Sequence, residues 1–398
     1  MAKILIINKF YYQRGGDCTA TLALEKLLMD EGHEVAIFSS QHPKNLPSKW
    51  EKYFPSEIDL SSSSIKNILS ALTRPFYSRE VKRRFLRLIN DFQPDVIHAH
   101  NIHSYLSPYI VELAAKKGIK VVWTLHDYKL ICPAYTCLRS GKPCELCFTH
   151  KRNVVRHKCI KNSLSASIIA YLEAIVWNRK KLEKLTKTFI SPSHFLKSKM
   201  IAAGYRAEKV EVLHNFMQPE RLQPCLPKGD YYCYVGRLSP EKGVDILLKA
   251  AESLPYPLYI IGGGSEFERL KKEYAQENIH FLGHQPPERV IEIVQKARLM
   301  VIPSIWYENN PFSVIESLCA GTPVLGANIG GIPELIEIGK NGFLFTPGNI
   351  EELREKINDT FLTFNDSYPF QDIADRAREK FSANMFYKQI CNIYGIKN

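Results

Sequence analysis

The sequence predicts an α/β protein of two successive domains, each built on a parallel sheet covered by helices. Three observations support this prediction. The chain has 398 residues, about twice the roughly 100–200 residues of one domain. Short apolar runs alternate with stretches of helical spacing, which is typical of parallel strands buried on both faces. Residues 218–229 contain three prolines and separate two such series, as a linker would.

The first series follows this alternation from the N-terminus. Continuous apolar runs predict buried strands at Ile4–Ile7, Val35–Ser39, Asp95–Ala99, Lys120–Leu125 and Thr188–Ser191. Helical spacing predicts helices at Thr19–Met29, Glu80–Asn90, Pro108–Lys117 and Ala166–Leu185. Ligands of open α/β sheets bind beyond the carboxyl ends of the strands, so a site is expected in the loops that follow them.

The second series repeats the pattern. Strands are predicted at Tyr231–Val235, Leu258–Ile261, His280–Leu282, Leu299–Ile302, Pro323–Leu325 and Phe343–Phe345. Helices are predicted at Val244–Leu254, Glu266–Glu277, Arg289–Gln295 and Phe312–Ala320. Two βα sheets in series favour a cleft between the domains as the place of a ligand site.

The composition excludes several classes of protein. Hydrophobic residues make up 45% and charged residues 24% of the chain, which excludes disordered and collagen-like sequences. No apolar run approaches the roughly 18–20 residues that span a bilayer. The N-terminal apolar run is shorter than that of a signal peptide. We therefore expect a soluble, cytoplasmic protein.

The net charge of +12 is unevenly distributed. Residues 1–205 hold 32 Lys/Arg and 16 Asp/Glu, a balance of +16, and the remainder has a balance of −4. This asymmetry predicts an anionic partner for the first half of the chain. Charge alone does not choose among nucleic acid, anionic lipid and phosphorylated small molecules.

Two loops at strand ends carry residues suited to a phosphate ligand. Gly15 and Gly16 stand between the first strand and the first helix, where they favour either a ligand loop or a plain tight turn. Arg237 and Lys242 lie in the loop after the first strand of the second series. They suit a phosphate, and the alternative is a solvated loop in which Glu241 pairs with one of the cations.

The segment from Glu308 to Glu316 is more specific. Asn310 is predicted to cap a helix whose first residue is Pro311, so that the N–H groups of Phe312 and Ser313 face a ligand. Glu308 and Glu316 flank this segment and are able to accept hydrogen bonds from sugar hydroxyls. The alternative is that Glu308 is a surface charge and Glu316 an ordinary residue of an amphipathic helix.

Together these motifs resemble those of the retaining glycosyltransferases of family 4, over nearly the whole chain. The resemblance rests on Gly15-Gly16, His126-Asp127, Ser191-Pro192-Ser193, Val235 to Gly243, Gly262-Gly263-Gly264, Phe281-Leu282-Gly283, Glu308 to Glu316 and Gly330-Gly331-Ile332-Pro333-Glu334. It implies the GT-B fold, with two Rossmann-like βαβ domains facing each other across a cleft. Residues 1–217 would be the acceptor-side domain, 218–229 the linker and 230–381 the domain that binds the nucleotide-sugar donor. Residues 382–398 would form a helix packed back on the first domain.

The resemblance also implies roles for individual residues. Catalytic roles would fall to His126 near the anomeric carbon, to Arg237 and Lys242 at the donor diphosphate, and to Glu308 at the sugar hydroxyls. Without the family, a lone histidine after a strand is more often structural. The other donor-binding positions would be Gly15, Gly16, Gly263, Gly264, Leu282, Asn310, Pro311, Phe312, Ser313 and Glu316, the last at the ribose.

Five of the ten cysteines fall between residues 132 and 159. Cys132, Cys144, Cys147 and Cys159 have a spacing that suits a structural zinc ion, and a similar cysteine-rich insertion after the His-Asp motif occurs in a subset of the family. Cys137 and His157 compete as ligands, and buried free cysteines are the alternative. For catalysis no cofactor is expected, because the sequence contains no Asp-x-Asp triplet and Arg and Lys would replace the metal.

The predicted function is therefore metal-independent, retaining transfer of a hexose-type sugar from a UDP- or GDP-sugar to a glycan or lipid-linked acceptor. The product would be a cell-surface polysaccharide or glycoconjugate. The basic first half predicts a peripheral position at an anionic membrane surface rather than a nucleic-acid partner. Ile168–Trp177, followed by three basic residues, is a candidate for that contact, and a buried core helix is the alternative. The rival functions are an epimerase or phosphorylase of the same fold, and a basic RNA- or membrane-binding scaffold with a degenerate site.

Overall fold

The computed structural model describes residues 1–58, 72–217, 222–365 and 367–396. Residues 218–221 of the predicted linker, and the last two residues of the predicted C-terminal helix, lie outside the described residues. The chain divides into two compact units. Unit 1 comprises Met1–Cys137, Cys144–His214 and Phe386–Asn398, and unit 2 comprises Leu138–Pro143 and Asn215–Met385.

The strands and helices alternate along most of the chain. The strands are β1 (Lys3–Ile7), β2 (Glu34–Phe38), β3 (Val96–Ala99), β4 (Lys120–Thr124), β5 (Leu138–Arg139), β6 (Lys142–Pro143), β7 (Thr188–Ser191), β8 (Val210–Val212), β9 (Tyr232–Val235), β10 (Leu258–Ile261), β11 (Ile279–Gly283), β12 (Leu299–Ile302), β13 (Val324–Ala327) and β14 (Gly342–Phe345). The α-helices are α1 (Gly16–Asp30), α2 (Arg79–Phe92), α3 (Tyr109–Lys116), α4 (Asn153–Arg156), α5 (Leu164–Val176), α6 (Arg179–Leu185), α7 (His194–Ala202), α8 (Val244–Ala251), α9 (Phe267–Glu273), α10 (Pro287–Lys296), α11 (Phe312–Cys319), α12 (Ile350–Thr363), α13 (Phe370–Lys380) and α14 (Ala383–Tyr394).

Unit 1 is built on a six-stranded parallel sheet in the order β2-β1-β3-β4-β7-β8. The interior strand β1 pairs on both sides, so that Leu5 lies opposite Ala36 in β2 and Ile97 in β3. Residues 4–7 are wholly buried, because helices cover both faces of the sheet. This explains why the strands read as continuous apolar runs rather than as alternating patterns.

Unit 2 repeats this architecture with the order β11-β10-β9-β12-β13-β14, again parallel throughout. Successive residues of β9 point to opposite faces, so Tyr232 and Tyr234 enter one apolar cluster and Cys233 enters the other. Each cluster packs one layer of helices against the sheet. The prediction of two α/β units with parallel sheets is confirmed.

The structure corrects one predicted helix of unit 1. The stretch predicted as a single helix, 166–185, is two helices, α5 and α6. The break follows α5 at Trp177, whose indole Nε1 donates to the carbonyl oxygen of Pro75 at 2.9 Å. Asn178 then caps α6, its side chain accepting from the backbone N–H of Lys181. Asparagine competes for the backbone in this way, which is why it favours a helix start over a helix interior.

The domain boundaries differ by a few residues from the predicted ones. Unit 1 ends at His214 rather than at residue 217. The chain rejoins unit 1 at Phe386, whereas the predicted return was at residue 382. Within unit 2, Met217 bridges to Ser382, which keeps both of these residues out of unit 1. The short hairpin β5–β6 groups with unit 2, a placement that its sequence gave no sign of.

Helix α14 is tied to unit 1 by two buried hydrogen bonds. The Tyr387 hydroxyl lies 2.8 Å from Nε2 of His33, and the Tyr394 hydroxyl lies 2.6 Å from Nδ1 of His98. The other ring nitrogen of His98 lies 2.7 Å from the Thr124 hydroxyl. Burial lowers the pKa of His98 to about 3, so this imidazole is neutral, with a hydroxyl at each nitrogen.

Replacing Tyr394 by phenylalanine tests how firmly this helix is held. The variant leaves Nδ1 of the buried His98 without its partner, and we expect a loss of about 1–3 kcal/mol in the free energy of unfolding. Urea titration followed by circular dichroism measures it. The control is Tyr77→Phe, which removes the hydroxyl of a tyrosine that is 40% exposed. Equal stability of the two variants would contradict this account of the helix.

Within the described ranges, no helix combines the length and the apolar character needed to cross a bilayer.

Candidate functional site

The loop after β9 places Lys242 against Glu308. A short turn at Pro240–Lys242 follows the strand, and it directs the lysine toward the loop after β12. The Lys242 ammonium lies 2.7 Å from Oε1 of Glu308 and 5.3 Å from the centre of the Trp306 ring. A primary ammonium has three N–H donors, so two remain for other acceptors.

Glu308 is a buried carboxylate with an unusually complete set of donors. The residue is only 6% exposed, and its Oε1 also accepts from the Ser304 hydroxyl at 2.6 Å and from Nε1 of Trp306 at 2.9 Å. Burial by itself would raise the pKa of Glu308. The charge of Lys242 and the three hydrogen bonds outweigh burial and lower that pKa, so the carboxylate is ionised at neutral pH.

The backbone of Glu308 is fixed as well, by a glycine pair after β13. The N–H of Gly331 donates to the carbonyl oxygen of Glu308 at 2.7 Å. Gly330 has a φ of +65°, and a Cβ there would lie 2.3 Å from the same oxygen. Only glycine fits this conformation and this approach. The alternative that Glu308 is a loose surface charge is therefore wrong.

Helix α11 begins where its apolar stretch predicted, and one residue later than a cap at Asn310 would place it. Its first residue is Phe312, and Pro311 occupies the position before it. Asn310 does not cap the helix, because its Oδ1 accepts from the backbone N–H of Asn215 at 2.9 Å. Phe312 and Ser313 are still in the first turn, where backbone N–H groups have no partner within the helix and favour an anion.

Glu316 differs from Glu308 in its partners and in the direction of its pKa shift. It lies in α11, and its carboxylate has neither a hydrogen bond nor an ion pair with any residue that the structure describes. Burial raises its pKa. A carboxylate held in this way retains all of its acceptor positions for a ligand.

The side chain of Arg237 is more exposed than that of Lys242. Its side chain is 62% exposed and pairs with Glu241 at 2.7 Å, as the alternative interpretation of this loop predicted for one of the two cations. The backbone of Arg237 is nevertheless held in place, because its carbonyl oxygen accepts from the Tyr234 hydroxyl at 2.9 Å. Burial raises the pKa of Tyr234, and the charges of Glu308 and Glu241 raise it further.

The glycine turn after β10 packs against the same loop. A Cβ on Gly264, whose φ is +155°, would lie 2.2 Å from the carbonyl oxygen of Leu238, and Leu238 N–H donates to the Gly263 carbonyl at 2.9 Å. These two glycines thus shape the loop that carries Arg237 and Lys242. Leu282 lies in β11, where its carbonyl oxygen accepts from Gln285.

In unit 1, Gly15 and Gly16 lie exposed at the start of α1. Gly15 precedes the helix in an extended conformation and Gly16 is its first residue, so neither needs the freedom of glycine for its backbone angles. The nearest atom to a Cβ built on Gly15 is a carboxylate oxygen of Asp17, at 3.7 Å. The pair therefore leaves open backbone at a helix N-terminus, which suits a ligand loop better than a plain tight turn.

His126 follows β4 and is linked to a second histidine. Its Nε2 lies 2.8 Å from Nδ1 of His100, and burial lowers the pKa of both imidazoles. Nε2 of His100 is buried with no partner in the described part of the chain. A buried N–H without a partner is rarer than an unpaired acceptor. The proton of His100 therefore belongs on Nδ1, which donates to Nε2 of His126. Because Nε2 of His126 is the acceptor, the proton of this neutral imidazole is on Nδ1, which is left as a donor.

Two polar residues beside His126 were missed by the sequence analysis. Asp17, in the first turn of α1, accepts from Nδ2 of Asn101 at 2.8 Å. Burial would raise the pKa of Asp17, but His126, Lys9 and the Asn101 hydrogen bond lower it. Asn101 follows β3, so the rule that sites collect at strand ends was the available signal.

Two of the five clustered cysteines contact Cys132. Hydrogen bonds from Cys137 and Cys147 lower the pKa of Cys132, so Cys137, the competing ligand, lies against it. Over the described ranges, no group of three or more His, Cys, Asp or Glu side chains is arranged to hold a metal ion. No disulfide joins any of the cysteines that the structure describes, and structural zinc stays a prediction.

Comparison with known proteins identifies the family. The family model described as Glycosyltransferase Family 4 matches residues 15–221, more than half of the chain. The chain belongs to glycosyltransferase family 4. A second model, Glycosyl transferases group 1, matches residues 223–366 of this family member.

Relatives of this glycosyltransferase span its whole length. A 42.6 kDa protein in the cps region of Klebsiella pneumoniae is 27% identical over 98% of this chain and 99% of its own. The lipopolysaccharide outer core galactosyltransferase WaaB aligns over 98% of both chains, with 19% identity and a TM-score of 0.64. Anabaena HepE, solved with UDP-glucose, aligns over 98% and 99% with the same identity and TM-score. These neighbours show that the fold of the glycosyltransferase is GT-B, as the sequence predicted.

Proposed function

We propose that this glycosyltransferase moves a hexose-type sugar from a nucleotide-diphosphate sugar to a glycan or lipid-linked acceptor, with retention of anomeric configuration and without a metal ion. The product would be a cell-surface polysaccharide or related glycoconjugate. Support for this context comes from the Klebsiella relative in the cps region and from the activity named for WaaB.

The observation that carries the proposal is the Lys242–Glu308 pair beside the first turn of α11. In the transfer, the bond between the anomeric carbon and the diphosphate breaks, a new bond to an acceptor hydroxyl oxygen forms, and the proton of that hydroxyl is released. Negative charge then develops on the departing diphosphate. The two remaining N–H donors of Lys242 and the backbone N–H groups of Phe312 and Ser313 are oriented groups that stabilise such a charge.

The two glutamates suit different parts of the donor. Oε1 of Glu308 is already occupied by three donors, which leaves Oε2 for a sugar hydroxyl. Glu316 has both oxygens available for the ribose diol. In unit 1, the Nδ1–H of His126 would donate to a sugar oxygen. Retention and metal independence rest on the family resemblance of these residues.

Thermal stabilisation by nucleotides tests the donor class. A ligand that binds only the folded protein raises its melting temperature by mass action. We expect a shift with one of UDP, GDP, ADP and dTDP, unaffected by EDTA, and UDP is the first choice because HepE was solved with UDP-glucose. A shift that EDTA removes would contradict metal independence. No shift with any of the four would favour the scaffold function.

A further inference from the structure

Helix α5 is amphipathic, but its polar face points into the protein and its apolar face points to solvent. The buried residues of this 13-residue helix are Ser167, Ala170 and Glu173. Most of the large apolar side chains of the helix point to solvent instead. Those at least 39% exposed are Leu164, Ile168, Leu172, Ile175 and Val176. Their spacing of three or four residues puts them on one face, so the helix presents an apolar stripe outward. The alternative interpretation of this segment, a buried core helix, is wrong.

Polar anchors fix this rotation of the helix. The Glu173 carboxylate lies 2.9 Å from the Lys129 ammonium and 3.4 Å from Nδ1 of His103. Burial alone would raise the pKa of Glu173, but Lys129 and His103 lower it to about 2. At the N-terminal end of the helix, the Ser167 hydroxyl accepts from the backbone N–H of Ile160 at 3.2 Å. Turning the stripe inward would leave a buried charge without its partner, which is strongly unfavourable.

The surroundings of the stripe are basic. Residues 151–181 contain eight Lys or Arg, and Glu173, 2% exposed, is the only acidic residue among them. Exposed cations lie on both sides of α5 along the chain. Those before it lie in and near α4, which packs against α5, and the other follows its C-terminal end. They are Arg152, Arg156, Lys158, Lys161 and Lys180. The exposed side of this segment therefore combines apolar side chains with positive charge and no exposed carboxylate.

We propose that the exposed face of α5 docks on an anionic lipid bilayer. Apolar side chains on one helix face, with cations beside them, suit a helix that lies in the plane of the headgroups. Each cation adds attraction to anionic lipid that falls off within a Debye length. The proposal deepens the proposed function and rests on it in one respect, since a lipid-linked acceptor is what brings such an enzyme to a membrane.

Vesicle sedimentation tests the proposal with the full chain. The probe is vesicles of equal parts phosphatidylglycerol and phosphatidylcholine, compared with pure phosphatidylcholine. We expect the wild-type protein to bind the anionic vesicles and not the neutral ones. The double variant Ile168→Ser/Leu172→Ser removes two side chains from the stripe and should weaken binding tenfold or more. Lys161→Gln/Lys180→Gln should weaken it too, through the charge.

The matched control is Leu362→Ser, which changes a leucine that is 74% exposed on α12 of unit 2, and it should bind vesicles as the wild type does. Unchanged binding by the Ile168/Leu172 variant would overturn the proposal, and so would equal binding of the wild type to neutral vesicles. A wild-type dimer that the same variant dissociates, with no binding to vesicles, would overturn it in favour of a second copy of the chain.

Nucleotide-induced thermal shifts on the same proteins separate the two proposals. Lost vesicle binding with a normal nucleotide shift would leave the transferase function standing. Normal vesicle binding without any nucleotide shift would remove the transferase function alone. The shifts also show whether each variant is folded.

Discussion

Lys242→Met should lower kcat about 10²–10³-fold, the usual loss when one oriented charge-stabilising donor is removed. Methionine keeps most of the length of the lysine stem but has no N–H donors. The departing diphosphate would lose its nearest ammonium, while the Ser304 and Trp306 hydrogen bonds to Glu308 would stay. The rate of nucleoside diphosphate release at saturating donor measures the effect.

The control for this variant is Lys249→Met, which removes an exposed ammonium from α8 of the same unit. It should leave kcat unchanged. The double variant Lys242→Met/Glu308→Gln separates loss of the ammonium from the cost of an unpaired Glu308, because it removes both charges together. If Lys242→Met turns over within a factor of three of the wild type, the assignment of the diphosphate to Lys242 is wrong.

Glu316→Gln should weaken binding of the nucleoside diphosphate about 10–100-fold, since hydrogen bonds to a charged acceptor contribute roughly 1.5–3 kcal/mol. Binding of inorganic pyrophosphate should not change, because it has no ribose. Isothermal titration with the two ligands measures both affinities. Glu355→Gln, an exposed glutamate on α12, is the control. Equal weakening of both ligands, or of neither, would contradict the ribose assignment.

The two glutamates should also have opposite effects on stability. Burial raises the pKa of Glu316, so its ionised form destabilises the folded state at neutral pH. This penalty begins to fall as pH drops through the raised pKa and is gone below the unfolded pKa. Glu316→Gln should therefore be at least as stable as the wild type at pH 7.

The pKa of Glu308 is lowered, so the stability that its carboxylate contributes is present above the unfolded pKa and is lost as pH falls through the lowered pKa. Glu308→Gln should be less stable than the wild type at pH 7 in urea titration.

Much of the fold was predictable because its strands are buried on both faces. The runs at Thr188–Ser191, Leu258–Ile261 and Leu299–Ile302 were predicted with the bounds that the structure has. The strand Val210–Val212 was missed, since three residues at a sheet edge are too short for periodicity to show. The break between α5 and α6 was missed because Trp177 and Asn178 continue a helical pattern, and only the tertiary bond to Pro75 shows why it stops.

The residues of the site could largely be predicted from the sequence, but the contacts between them could not. Glu308 and Lys242 were both predicted, but their contact joins residues that are 66 positions apart in the chain. Asn310 was assigned to the helix cap because asparagine favours that position, and a tertiary partner, Asn215, took its side chain instead. His100 and Asn101 carried no recognisable motif, and the sheet places them beside His126 and Asp17 through the ends of β3 and β4.

Proton NMR of a nucleotide-sugar reaction tests the central claim most directly. The protein is incubated with UDP-glucose, and with the GDP-, ADP- and dTDP-sugars, in the presence of EDTA and oligosaccharide or lipid-linked acceptors. We predict release of one nucleoside diphosphate together with a new glycosidic signal that keeps the α configuration of the donor. A new nucleotide sugar formed without release would instead show an epimerase. No consumption of any donor would contradict the account.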